Sequence, residues 1–129
     1  RTAGAQQAVP ADYSGTIFVP GLGESYYVWY RNGTTSLLAQ RVQLRTWVAA
    51  SLSTTQTVAT QSSELRGYST GGRSVYVGHS MGGLVARHTA FARPDLTAGI
   101  VTVASPHQGA PIADRAGEAL GYIRSTGSW

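Results

Sequence analysis

Apolar and polar residues switch repeatedly between strand-like runs and helical spacing along this chain. Short apolar runs at 15–20, 44–50, 74–79 and 99–104 are bounded by glycine, proline or polar residues, which predicts four strands. Between them the spacing is helical. Residues 35–42 predict a short helix, and Val58, Leu65 and Tyr68 place another between 54 and 68. Leu84, Val85, His88 and Phe91 form a stripe on a helix that Pro94 closes. Ile112, Ala116, Leu120 and Ile123 predict a last amphipathic helix. Residues 1–13 read as an irregular arm, and residues 21–34 as a loop rich in glycine and aromatics. Strands alternating with helices imply right-handed crossovers. The expected fold is therefore α/β: a parallel sheet of about four strands with helices on both faces. The 129 residues make one domain, with no internal repeat and no linker.

In such sheets ligands bind beyond the carboxyl ends of the strands, and three chemical candidates fall there. The first is Ser80, in Gly78-His79-Ser80-Met81-Gly82 between an apolar run and a helical pattern. A G-x-S-x-G turn in that context holds its serine on a strained corner, with the hydroxyl clear of the sheet. The helix N-terminus behind it favours negative charge developing on a substrate. The second is the turn Pro20-Gly21-Leu22-Gly23, which ends the first run. An acyl-transfer site takes one oxyanion N–H from the residue after the nucleophile, here Met81, and one from an early strand–helix loop, here Leu22. The third is His107, just past the fourth run.

A serine hydroxyl needs a base, and the base an orienting acid. Of the three histidines, His79 is turned away from Ser80 by strand alternation, which favours a packing role. His88 lies two turns down the helix, roughly 12 Å along its axis. His107 remains as the candidate base, and Asp114 is the acid best placed to serve it; Asp95 belongs at the opposite end of the sheet. Tyr26 and Tyr27 follow the oxyanion loop as candidate substrate-binding residues, with packing an equal alternative. The helix over 112–123 reads more simply as a packing helix than as a lid.

The segments around Pro20-Gly21-Leu22-Gly23, Gly78-His79-Ser80-Met81-Gly82-Gly83-Leu84-Val85-Ala86-Arg87 and Ser105-Pro106-His107-Gln108-Gly109 resemble bacterial lipases and esterases of the α/β-hydrolase superfamily, over roughly residues 15–115. The resemblance implies a serine carboxylester hydrolase with Ser80 as nucleophile and Leu22 and Met81 as oxyanion donors. It also implies no cofactor or metal, and an elbow strand lying between the first and fourth strands. Pro20 stands where the family usually has a histidine. In that family the histidine corresponding to His107 shapes the loop and is not the base, and the acid and base come later in the chain. Two alternatives therefore stand beside the enzyme: a fragment of a longer lipase that lacks its base, and a non-catalytic hydrolase-fold binding module.

Composition narrows the partners. Without cysteine there is neither disulfide nor thiolate metal site. The formal charge is +4, carried by ten arginines scattered from Arg1 to Arg124. Nucleic-acid binding needs a clustered patch or a binding motif, and the sequence has neither. Modest positive charge suits peripheral contact with an anionic lipid interface. No apolar run is long enough to span a membrane or act as a signal core. The first residue is not Met, which fits a processed, secreted protein or an excised piece. A fourth strand at the sheet edge would expose its hydrogen-bonding groups and invite self-association.

Overall fold

The computed structural model describes residues 12–42 and 46–109. The sheet consists of β1 (Tyr13–Val19), β2 (Thr46–Ala49), β3 (Arg73–His79) and β4 (Thr97–Val103). All pairs are parallel and the order is β2-β1-β3-β4, so the strand leading to Ser80 lies between the first and the fourth, as expected. Helices α1 (Thr34–Val42), α2 (Val58–Leu65) and α3 (Met81–Ala92) connect the strands. The expected helix at 112–123 and Asp114 lie outside the described residues.

β1 begins two residues earlier than its apolar run suggests. Gly15 hides the strand from pattern reading, yet a side chain there would run into the Thr46 carbonyl oxygen of β2. The register shifts between Tyr13 and Gly15, and the Ser14 hydroxyl, at that shift, donates to the Arg73 carbonyl at 3.0 Å.

One face of the sheet carries the main core. Ile17, Val19 and Tyr76 pack with Leu65 of α2, Val85 and Ala86 of α3, and Ala50 after β2. β3 alternates accordingly: Ser74, Tyr76 and Gly78 are buried, while Val75, Val77 and His79 point half-buried to the other face. A buried hydroxyl pair, Ser62 to Thr89 at 2.9 Å, ties α2 to α3. Thr89 also donates to the Val85 carbonyl, so burial leaves its hydroxyl satisfied.

Of the stripe expected on α3, Val85 alone belongs to the buried face of the helix. Gly82, Gly83, Val85, Ala86 and Thr89 are buried, whereas Phe91 is 91% exposed and His88 is exposed. The reason is the closeness of the helix to the sheet. A side chain on Gly82 would overlap the Val19 and Pro20 carbonyls at the end of β1, and one on Gly83 would overlap the Ser105 side chain beyond β4. Small residues must face a backbone that close, and the larger apolar residues turn outward.

On the opposite face, Trp29 packs on Phe18 with ring centroids 5.0 Å apart. Beside it a cavity of about 740 Å³ opens between Phe18, Val77, Val101, Val103 and Leu38 of α1. β4 has β3 as its single neighbour among the described residues, and Ile100, Val101 and Val103 are 40–50% exposed.

The contact at Gly82 yields a stability prediction. Gly82→Ala should destabilise the domain by about 1–3 kcal/mol or more despite the better helix propensity of alanine, because the methyl has no space. Urea unfolding checks this; a Gly82→Ala chain as stable as the parent would mean that α3 can move off β1.

A second prediction concerns acid. The Glu64 carboxylate accepts the Ser53 N–H at 2.8 Å, which holds its pKa below the ordinary value. A depressed folded-state pKa gives stability that is present above the unfolded value and is lost as pH falls through the folded one. Glu64→Gln should therefore flatten that part of the acid-unfolding curve, as followed by circular dichroism between the ordinary carboxylate range and lower pH.

Candidate active site

β3 ends at His79, α3 begins at Met81, and Ser80 makes the whole turn between them with φ 54° and ψ −125°. Positive φ in a non-glycine residue is costly, about 1–3 kcal/mol, and persists only where the surroundings impose it. Here they do. The Ser80 N–H donates to the Val103 carbonyl of β4 at 2.9 Å, and its carbonyl accepts the Gly83 N–H at 3.1 Å. The Ser80 hydroxyl has no hydrogen-bond partner among the described residues and is half-buried.

The Gly-rich turn after β1 lies directly against this corner. A methyl on Gly21 would come within 3.1 Å of Ser80 Cβ and 3.0 Å of the His79 carbonyl oxygen. The N–H groups of Leu22 and Met81 meet no acceptor among the described residues. Met81 is the first helical residue, so its N–H has no intrahelical partner. The turn that carries Leu22 and the helix start at Met81 thus adjoin a strained serine at the carboxyl edge of a parallel sheet, with both N–H groups and the hydroxyl unpaired among the described residues. That arrangement suits charge developing on a carbonyl oxygen.

The histidines are each engaged elsewhere. His107 Nε2 lies 3.0 Å from Thr102 Oγ1, His88 Nδ1 lies 3.0 Å from Ser62 Oγ, and His79 Nδ1 lies 3.0 Å from Glu24 Oε1. The structure thus forms no hydrogen bond between Ser80 and any of them. Asp95 pairs with Arg93 at 2.8 Å on the surface, and that pairing holds its carboxyl below the ordinary range. Among the described residues no cluster of histidine and carboxylate side chains could hold a metal.

Tyr26 and Tyr27 occupy a 3-10 turn, Tyr26–Trp29, and are 44% and 57% exposed. With Tyr30 they make an aromatic group: Tyr26 meets Tyr30 edge-on and Tyr27 stacks on it, both at 6.1 Å. Trp29 is the member of this segment that enters the interior. Sequence reasoning missed Glu24. Its carboxylate accepts the Gly21 N–H at 2.7 Å while pairing with His79. The one available signal was a lone carboxylate three residues beyond Gly21 in an otherwise apolar turn.

The PGAP1-like alpha/beta domain family matches residues 36–121, more than half of the chain. The chain belongs to that family. Two triacylglycerol lipases, from Pseudarthrobacter phenanthrenivorans and Burkholderia plantarii, are 45% identical to it over 38 residues. That stretch is 30% of this chain but 12% and 11% of theirs. A Mycobacterium tuberculosis structure described as a non-heme bromoperoxidase superposes with a TM-score of 0.68 at 17% identity. The superposition covers 93% of this chain and 47% of that one, so the PGAP1-like domain spans about half the length of its structural neighbour. The fold is that of an α/β-hydrolase, and the lipase likeness is local.

The strain at Ser80 can be measured. Ser80→Gly should leave the PGAP1-like domain at least as stable as the parent, by up to about 1 kcal/mol, because glycine relieves the positive φ at some entropic cost. Thermal unfolding of Ser80→Gly beside Ser80→Ala reads this directly. A clear loss of stability in the glycine variant would show that the turn is not strained.

Proposed function

We propose that this domain is a serine carboxylester hydrolase of lipase type, working through an acyl-enzyme on Ser80. The observation that carries the reading is the turn itself: a non-glycine residue at φ 54° between a parallel strand and a helix. Its hydroxyl is unpaired among the described residues, and the Leu22 and Met81 N–H groups are free beside it.

The Ser80 oxygen attacks the ester carbonyl carbon and its proton passes to a base. The Leu22 and Met81 N–H groups hold the resulting oxyanion. The carbon–oxygen bond to the alcohol then breaks, the base returns the proton to the leaving oxygen, and water releases the acyl group by the same route. Leu22, Tyr26 and Tyr27 offer apolar surface to an acyl chain and to a lipid interface. Within this chain the base is His107, released from Thr102 and oriented by Asp114, which needs a shift of the segment after β4. Secretion accords with the lipase likeness.

A second reading takes the base from outside these 129 residues, leaving the chain a nucleophile and oxyanion module. It is favoured by the commitment of all three histidines to partners other than Ser80. A third, a binding module without catalysis, needs an inert Ser80.

A fluorophosphonate probe and a p-nitrophenyl ester separate the three. Labelling at Ser80 with turnover that Ser80→Ala reduces by orders of magnitude, and that His107→Ala also abolishes, supports the first reading. Labelling with negligible turnover, unchanged in His107→Ala, supports the second. A chain that resists labelling is the third.

A further inference from the structure

We propose that Glu24 and His79 form a positioning pair that sets the Leu22 N–H against Ser80. The inference rests on the hydrolase reading for its consequence, but its geometry stands independently. Glu24 grips Gly21 at both ends. Its carboxylate Oε2 accepts the Gly21 N–H at 2.7 Å, and its own backbone N–H donates to the Gly21 carbonyl at 3.0 Å. The Gly21 carbonyl and the Leu22 N–H belong to one planar peptide unit, so fixing the carbonyl fixes the direction of the donor.

The same carboxylate is anchored to the elbow strand. His79 Nδ1 donates to it, 3.0 Å from Oε1 and 3.2 Å from Oε2. His79 is bonded in sequence to Ser80, so the pair joins the oxyanion turn to the residue next to the proposed nucleophile. Gly21 is caught between these groups. A methyl there would lie 3.0 Å from Glu24 Oε2 and 3.1 Å from Ser80 Cβ, which leaves the turn little freedom to approach or retreat. A charged acceptor makes stronger hydrogen bonds than a neutral one, and this one is partly shielded from water. The carboxylate is thus placed to bind backbone and histidine together, and neither role requires it to touch substrate.

The test uses the full chain, with Glu24→Ala, Glu24→Gln, His79→Leu and the double variant Glu24→Ala/His79→Leu. Two measurements are made on each: the rate of fluorophosphonate labelling at Ser80, and hydrogen exchange of the Gly21 amide by NMR. Glu24→Ala should slow labelling on the order of tenfold to a hundredfold, as expected when an oxyanion donor is misplaced by about an ångström. Its Gly21 amide should exchange at least about tenfold faster, while global unfolding changes little. Glu24→Gln keeps an acceptor for the Gly21 N–H and should recover most of the protection and part of the rate. If the two residues act as one unit, the double variant should be no slower than Glu24→Ala. Unchanged Gly21 exchange in Glu24→Ala overturns the pair. Faster exchange with an unchanged labelling rate overturns its positioning role. Should the parent resist labelling, the hydrolase reading fails by itself, and Gly21 exchange alone decides whether Glu24 holds the turn.

Discussion

The closeness of α3 to the carboxyl ends of β1 and β4 is the constraint from which the rest of the site follows. Gly82 meets the Val19 and Pro20 carbonyls, and Gly83 meets Ser105. A helix seated that near the sheet cannot be reached from β3 by an ordinary loop, and one residue has to reverse the chain. Ser80 does so at positive φ, held by its N–H on Val103 and its carbonyl on Gly83. Packing of the central helix, strain at one residue and exposure of its hydroxyl are one geometric fact seen at three scales. Interiors packed without slack transmit strain in this way.

The proposed oxyanion turn is held in a different way. It has no regular structure of its own and sits over the elbow through hydrogen bonds. Glu24 closes the turn upon Gly21 and joins it to His79, and the Gly23 N–H reaches the Thr54 carbonyl at 3.4 Å. The Thr54 segment is itself held by Glu64 at Ser53 and by the Tyr68 hydroxyl at Ser51. Two free N–H groups at a reaction centre are useful only if neighbouring bonds keep them from turning away. Helix packing fixes the serine, whereas polar side chains fix the loop opposite it.

Among the described residues the two faces of the sheet are unequally covered. Toward α2 and α3, Ile17, Val19, Tyr76, Leu65 and Val85 are all but sealed from solvent. Toward α1, Trp29 covers Phe18, but Val101 and Val103 of β4 are about half exposed beside a broad apolar cavity. The proposed nucleophile is held by β3, β4 and α3, and the end of β1 lies against it.

Local pattern determined most of the fold. Apolar runs bounded by glycine, proline or polar residues marked all four strands, because a strand that packs against neighbours is rich in apolar and β-branched residues. The spacing of Val58, Leu65 and Tyr68 marked α2, and Gly78-His79-Ser80-Met81-Gly82 between strand and helix marked the corner. Three things were decided only by tertiary structure. β1 starts before its apolar run because Tyr13 pairs with Arg73 of β3 and Ser14 bonds the Arg73 carbonyl, contacts that no local pattern records. The buried face of α3 is its small residues, not the Leu84, His88 and Phe91 side, because proximity to the sheet outweighs hydrophobicity as a guide to which side faces in. His79 and Glu24, 55 residues apart, meet because β3 lies beside β1. A hydrogen bond of that kind leaves no periodic trace in a sequence, since nothing local requires either partner.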